Sequence, residues 1–98
     1  MTKDENKFLF SVIMPIYNVE DYIEEAILSL VNQTIGFDKI QLIMINDGSP
    51  DNSEAICLKY KKMYPDNIVY QKIPNGGVSN ARNTAFQYVD AKYITFLD

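Results

Sequence analysis

The sequence has 98 residues, enough for one small domain, and 47% of them are apolar, which favours a folded core over disorder. Nine basic side chains against thirteen acidic ones give a net charge of -4, so the basic surface that nucleic-acid binding requires is missing. With one cysteine and no histidine, the chain can form neither an internal disulfide nor the usual zinc clusters and histidine-based triads. We therefore expect a reduced, acidic domain with no nucleic-acid partner.

The N-terminal segment is polar and does not have the apolar core of a signal peptide. No apolar run approaches the roughly 18 residues that a membrane span requires, so the sequence predicts no transmembrane segment. We predict an N-terminal tail over residues 1–9 and one domain over residues 10–98. The expected compartment is the cytoplasm, where a lone thiol stays reduced.

Short segments rich in β-branched residues alternate with longer amphipathic stretches, which is typical of successive βαβ units. Strands are predicted over residues 10–16, 40–45, 68–72 and 93–97. Their starts recur at about the 30 residues of one βαβ unit, and this favours parallel pairing. The predicted fold class is therefore α/β, with a Rossmann-like parallel sheet of four strands and three helices.

The first two predicted helices follow the first and second strands. The first begins after Asn18, a residue type that caps helix N-termini, and the second begins near Ser49 or Ser53. The second helix ends at Tyr64, because Pro65 disfavours the helical conformation in the residue before it. The residues expected on the apolar faces are Tyr22, Ile23, Ala26, Ile27, Leu30 and Val31 in the first helix and Ile56, Tyr60 and Met63 in the second.

The third predicted helix covers residues 79–89. This prediction places Arg82, the only arginine of the chain, in the first turn, where the helix dipole disfavours a cation by about 0.3–1 kcal/mol. Arg82 is therefore either a ligand for an anionic molecule such as a nucleotide or an exposed surface cation. The residues expected to face the sheet are Ala81, Ala85, Phe86 and Val89.

Ligands of open α/β sheets bind outside the carboxyl ends of the strands, so the residues after each strand are candidates for a site. The carboxylate of Asp47 can accept the imide N–H of uracil or thymine, or the amide and amine of guanine, or it can cap its own turn. Tyr17 can stack on a nucleobase or pack against the first helix. Gly76 supplies unhindered backbone to a ligand or simply turns the chain.

Five segments follow one another in the order and spacing of a known family: SVIMPIYN (11–18), LSLVNQT (28–34), INDGSPDNS (45–53), NGGVSNARN (75–83) and YITFLD (93–98). Together they resemble the nucleotide-binding half of family 2 glycosyltransferases. The resemblance extends from about residue 10 to the end of the sequence. It implies an inverting enzyme with the GT-A fold, of which the chain is the N-terminal, nucleotide-binding half.

The same resemblance assigns roles to individual residues. The donor-nucleotide site that it implies consists of Pro15, Ile16, Tyr17, Asp47, Gly76, Arg82 and Asp98. The first three would line the base and the ribose. Asp47 would bond the base, and Arg82 would reach the base or the diphosphate. Asp98 would open an Asp-x-Asp motif, which makes it the candidate metal ligand.

The second carboxylate of that motif is not in the sequence, which ends at Asp98. We therefore expect Mn2+ or Mg2+ to serve the full-length enzyme, without being held tightly by these 98 residues. The general base and the acceptor-binding half are also expected outside the sequence. Consequently no catalytic residue is predicted within it, and we expect the 98 residues alone to be inactive.

The resemblance implies a whole protein that transfers a sugar from a nucleoside diphosphate sugar, with uridine as the default nucleoside, to a hydroxyl of a glycan or lipid-linked acceptor. Surface polysaccharide or cell-wall glycan synthesis is the expected setting, at the inner face of the membrane for the full-length protein. The alternative is a non-catalytic nucleotide-binding or assembly module of the same fold. The sequence leaves the oligomeric state open.

Two other classes of protein with a similar sheet fit the sequence poorly. A dinucleotide-binding oxidoreductase requires a glycine-rich turn after the first strand, and that segment, MPIYNVED, contains no glycine. A phosphoacceptor signalling domain requires an acidic pair directly after the same strand, where this chain has Tyr17 and Asn18.

Overall fold

The computed structural model describes residues 6–97, which form one sheet with helices on both faces. The strands are β1 (Phe8–Ile16), β2 (Ile40–Asn46), β3 (Ile68–Lys72) and β4 (Ala91–Phe96), and they lie in the order β3-β2-β1-β4. Every neighbouring pair of strands is parallel. The predicted α/β class, with a parallel sheet of four strands, is confirmed.

Three α-helices connect the strands: α1 (Ile23–Val31), α2 (Ser53–Met63) and α3 (Val78–Ala85). Short 3-10 turns occupy Phe37–Lys39 and Phe86–Tyr88. Helices α1 and α2 pack on one face of the sheet, and α3 crosses the other face between β3 and β4. Among residues 6–97, no helix is long and apolar enough to cross a membrane.

Each face of the sheet has its own apolar core. Strand β2 lies inside the sheet and all seven of its residues are buried, as expected for a parallel strand covered on both faces. Leu42 packs toward α1 and α2, whereas Ile43 packs against Ala81 and Ala85 of α3. These two small residues let α3 lie directly on β1 and β2. The packing brings the start of α3 to the carboxyl ends of the strands.

Three predictions at the start of the chain need correction. Strand β1 begins at Phe8, inside the predicted tail 1–9. Asn18 does not cap α1, which begins at Ile23; the N-cap position belongs to Tyr22, which makes no side-chain capping bond. Because Tyr22 precedes the first helical turn, its side chain is 69% exposed instead of facing the core.

Two further residues assigned to apolar faces are exposed. Met63 is the last residue of α2, and its side chain points largely into solvent. Helix α3 ends at Ala85, earlier than predicted, and Phe86 begins a 3-10 turn with a tighter pitch. Phe86 therefore leaves the sheet face and meets the ring of Phe96, with 6.2 Å between the ring centroids.

Candidate functional site

A cavity of about 600 Å³ opens at the carboxyl ends of β1 and β2, beside the start of α3. Its volume lies within the range of about 300–1,000 Å³ that small-molecule sites occupy. The cavity is lined by Pro15, Tyr17, Asp47, Asn75, Gly77, Val78 and Arg82. Four of the residues singled out in the sequence thus share one cavity, although they come from three separate segments of the chain.

Asp47 lies at the centre of this site and is buried, with 4% of its surface exposed. Its Oδ1 accepts a hydrogen bond from the amide of Gly76 at 2.8 Å, and its Oδ2 accepts one from the amide of Gly77 at 3.0 Å. The carboxylate therefore binds the loop after β3 and not its own turn. Each carboxylate oxygen has a second lone pair, so both oxygens can still accept a hydrogen bond from a ligand.

The loop after β2 lies in close contact with the loop after β3. Gly48 has a φ of +70°, and a Cβ atom at this position would lie 3.0 Å from the backbone nitrogen of Asn75. The side-chain amide of Asn75 donates a hydrogen bond to the carbonyl of Asp47 at 3.1 Å. Glycine at position 48 is therefore required by both the backbone conformation and the contact between the two loops.

The end of β1 forms another wall of the cavity. Tyr17 lines the cavity there and is 45% exposed, so its ring is available to a ligand. Pro15 lies beside it on the same wall. Ile16 is different: its side chain is fully buried in the core shared with α1 and α2, so only its backbone can face the site.

Arg82 lines the cavity from α3. It lies in the last turn of this short helix, so the prediction of a first-turn position was wrong and the helix dipole favours its charge. The guanidinium carbon lies 5.2 Å from the centroid of the Phe96 ring, which is within the range of a cation–π interaction. Phe96 of β4 thus supports Arg82 at the cavity wall.

Asn46 ends β2 directly before Asp47 and is buried. Its place after the predicted strand made it a candidate, but no hydrogen-bonding role was predicted for it. Its Oδ1 accepts the amide of Ser49 at 2.8 Å, and its Nδ2 donates to the hydroxyl of Tyr70 at 2.9 Å. That hydroxyl in turn donates to Glu54. Burial and, to a smaller extent, the bond to Glu54 raise the pKa of Tyr70 to about 12, so the hydroxyl keeps its proton. The backbone on which Asp47 lies is fixed by this chain of bonds.

The loop after β2 contains a second network, centred on Asp51. Burial raises the pKa of the Asp51 carboxyl, but hydrogen bonds from Ser49, Ser53 and the amide of Glu20 outweigh burial and lower the pKa to about 2. The density of Asn, Asp and Ser in the segment 46–53 is the sequence signal for such side-chain-to-backbone bonds. The sequence does not indicate that Ser49 and Asp51 bind amides of the loop after β1, because that contact forms only in the folded protein.

The described part of the chain contains no cluster of the side chains that usually bind metal ions. No group of three or more acidic, cysteine or histidine side chains that could hold a metal ion occurs among residues 6–97. Asp47 is the one carboxylate among the lining residues, whereas Mg2+ or Mn2+ requires several oxygen ligands. Asp98, the candidate metal ligand, lies outside the described residues, and its role stays a prediction.

Comparison with known proteins gives consistent matches. The model of the family "Glycosyl transferase family 2" matches residues 11–98. The minor teichoic acid biosynthesis protein GgaB of Bacillus subtilis is 59% identical over 98 residues, which are 100% of this chain and 11% of that protein. A poly(ribitol-phosphate) beta-glucosyltransferase of Bacillus spizizenii is 39% identical over 89 residues, or 90% of this chain and 14% of that protein.

The fold also matches a solved structure. The crystal structure of S. aureus TarS 1-349 in complex with UDP-GlcNAc superposes with a TM-score of 0.83 and 31% sequence identity, covering 93% of this chain and 26% of that one. The chain therefore corresponds to between about a tenth and about a quarter of the length of these proteins.

Proposed function

Because the chain belongs to glycosyl transferase family 2, we propose that its cavity binds the nucleoside of a nucleoside diphosphate sugar. The convergence of Tyr17, Asp47 and Arg82 on one cavity at the carboxyl edge of the sheet carries this proposal. An aromatic ring, a carboxylate and a guanidinium are the groups that bind a base face, a base N–H and a diphosphate, respectively.

Asp47 is proposed to recognise the base. Its oxygens can accept the imide N–H of a uracil ring, and a charge-assisted bond of this kind contributes roughly 1.5–3 kcal/mol. Tyr17, exposed on the neighbouring wall, can stack on the same ring for about 1–3 kcal/mol. Uridine is the proposed nucleoside. The TarS structure, which contains UDP-GlcNAc and matches the fold of this chain, supports this choice.

Arg82, Gly76 and the backbone of Ile16 complete the proposed donor site. The guanidinium lies over Phe96 and is proposed to bind the diphosphate or the edge of the base. The amide of Gly76 bonds Asp47 and holds the loop after β3 at the cavity. Asp98 is proposed to open the metal-binding motif of the whole enzyme. Mn2+ or Mg2+ is proposed to serve the whole enzyme, without being held tightly by the 98 residues alone.

For the whole protein we propose transfer of the sugar to an acceptor hydroxyl with inversion, in the synthesis of a cell-wall glycan and at the inner face of the membrane. The similarity to a teichoic acid biosynthesis protein supports this setting. The proposed acceptor is a glycan or a lipid-linked glycan. We propose that the 98 residues alone bind the donor without transferring its sugar. Transfer by the purified 98-residue chain would contradict that last point.

An amide NMR titration of the 98-residue chain with UDP, GDP and dTDP tests the binding proposal. Saturable shifts around Tyr17, Asp47 and Arg82 are expected with UDP at a Kd of roughly 0.1 to several mM, equivalent to a binding free energy of about 3–5.5 kcal/mol. Asp47→Asn should weaken these shifts strongly, because one acceptor oxygen becomes an NH2 donor, and the single oxygen that remains cannot serve Gly76, Gly77 and the base N–H together.

Asp38→Asn is the matched control, since Asp38 lies at the opposite end of the sheet, in the 3-10 turn before β2. It removes the same charge and should leave the UDP shifts unchanged. A well-dispersed spectrum without UDP shifts, or equal UDP affinity for Asp47→Asn and the unmodified chain, would show that the cavity is not a nucleotide site.

A further inference from the structure

The loop that carries Tyr17 is held by side chains of a different loop. The backbone amide of Asn18 donates a hydrogen bond to Oγ of Ser49 at 2.9 Å. The amide of Glu20 donates to Oδ2 of Asp51 at 3.0 Å. Two of the three backbone amides that follow Tyr17 are therefore bound by residues between β2 and α2.

The backbone conformation of this loop also requires contacts with residues outside the loop. Asn18 has a φ of 55°, in the left-handed region that residues other than glycine rarely adopt. Such a conformation persists where surrounding contacts enforce it. The bond from the Asn18 amide to Ser49 is a contact of this kind, and it is made by the residue directly after Tyr17.

Ser49 and Asp51 are themselves held in place. The Ser49 hydroxyl donates to Oδ1 of Asp51, and the same oxygen accepts the amide of Ser53 at 3.1 Å. The Ser49 amide is bound to the buried Asn46. The depressed pKa of Asp51 means that its carboxylate stays ionised and able to accept these bonds throughout the neutral range.

We propose that Ser49 and Asp51 are positioning residues for Tyr17, which set the nucleotide affinity of the cavity without touching the nucleotide. Neither residue lines the cavity, so their effect is exerted through the loop that carries the aromatic ring. The predicted effect on nucleotide affinity rests on the proposed function. The structural part of the inference, that Ser49 and Asp51 order the loop that carries Tyr17, can be measured without a ligand.

Amide hydrogen exchange on the ligand-free chain tests the structural half. In Asp51→Asn and in the milder Ser49→Ala, the amides of Asn18 and Glu20 should exchange at least several-fold faster than in the unmodified chain. Tyr60→Phe is the matched control, because it removes the hydrogen bond from the Tyr60 hydroxyl of α2 to Glu24 of α1 but leaves the bonds of the Asn18 and Glu20 amides in place. Unchanged exchange at Asn18 and Glu20 in both test variants would overturn the proposal.

UDP titrations at a temperature where every variant is folded test the functional half. The Kd should rise about 3- to 10-fold in Asp51→Asn and stay constant in Tyr60→Phe. When the ring of Tyr17 is removed, the Asp51→Asn substitution should have almost no further effect, because Asp51 acts through that ring. An equal effect of Asp51→Asn with and without the ring would overturn the positioning role.

The two proposals fail in different ways. If the unmodified chain does not bind any nucleotide, the proposed function is contradicted and the affinity half of this inference with it. If the unmodified chain binds UDP and Asp51→Asn binds it equally well, this inference alone is contradicted. Ser49→Ala keeps the test decisive in case Asp51→Asn does not fold, since it removes the Asn18 contact without removing a charge.

Discussion

At the scale of single residues, the site depends on how closely two loops approach each other. Gly48 and Asn75 belong to different loops, and Asp47 can accept the amides of Gly76 and Gly77 because these loops meet. The Asp-Gly pair was visible in the sequence as a turn. Its second function, as the contact point for a loop almost 30 residues away, depends on the tertiary structure.

Gly48→Ala should lower the free energy of unfolding by about 1–3 kcal/mol, because alanine is strained at a positive φ and its Cβ would contact the backbone of Asn75. Urea unfolding monitored by circular dichroism measures the change. Gly48→Asn is the informative companion, since asparagine tolerates the left-handed conformation but carries the same Cβ. If Gly48→Asn were as stable as the unmodified chain, backbone conformation alone would explain the glycine and the close contact would be irrelevant.

At the scale of the elements, the strands followed from the sequence more closely than the helix ends did. β-branched runs bounded by polar turns predicted all four strands. Such runs are expected in the covered strands β1 and β2, whereas in β4 only Ala91 is buried. The end of α3 could not be predicted from the sequence, because neither glycine nor proline, the residues that usually mark a helix end, follows Ala85. That error misplaced Arg82 within its helix, although its position at the site was anticipated from the family resemblance.

The start of α2 gives a prediction for the pH dependence of stability. Asp51 has its pKa lowered from 3.8 to about 2, so its ionised form stabilises the fold fully above about pH 4, and this stabilisation is lost as the pH falls toward 2. The unmodified chain should therefore lose more free energy of unfolding than Asp51→Asn between about pH 5 and about pH 2.5. Urea titrations at several pH values measure both curves.

The pKa of Glu24 is also lowered, which makes stability depend on pH in the same way in the unmodified chain and in Asp51→Asn. This contribution cancels when the two stability curves are subtracted. Parallel curves for the two chains would mean that the Asp51 carboxylate gains nothing from its bonds in the folded protein.

At the scale of the whole molecule, one buried polar side chain, that of Gln41, joins the central strands to the segment between α3 and β4. Gln41 of β2 accepts hydrogen bonds from the Ser11 hydroxyl of β1 and from the amide of Asp90, and it donates to the carbonyl of Tyr88 at 2.8 Å. It therefore connects the central strands to the segment through which the chain passes from α3 into β4. In the sequence, Gln41 is a polar residue within an apolar strand, and nothing local indicates its partners.

Gln41→Leu should lower the free energy of unfolding by about 2–4 kcal/mol, because it leaves the buried Ser11 hydroxyl and the half-buried backbone groups of Tyr88 and Asp90 without their partner. This is a large share of the about 5–15 kcal/mol that stabilises a domain of this size. Gln71→Leu is the matched control, since Gln71 lies exposed on β3 and its replacement should change stability by no more than about 0.5 kcal/mol. Because Gln41 does not line the cavity, UDP affinity below the unfolding transition should be the same in both variants. Equal stability of the two variants would show that β4 is held by its strand pairing alone.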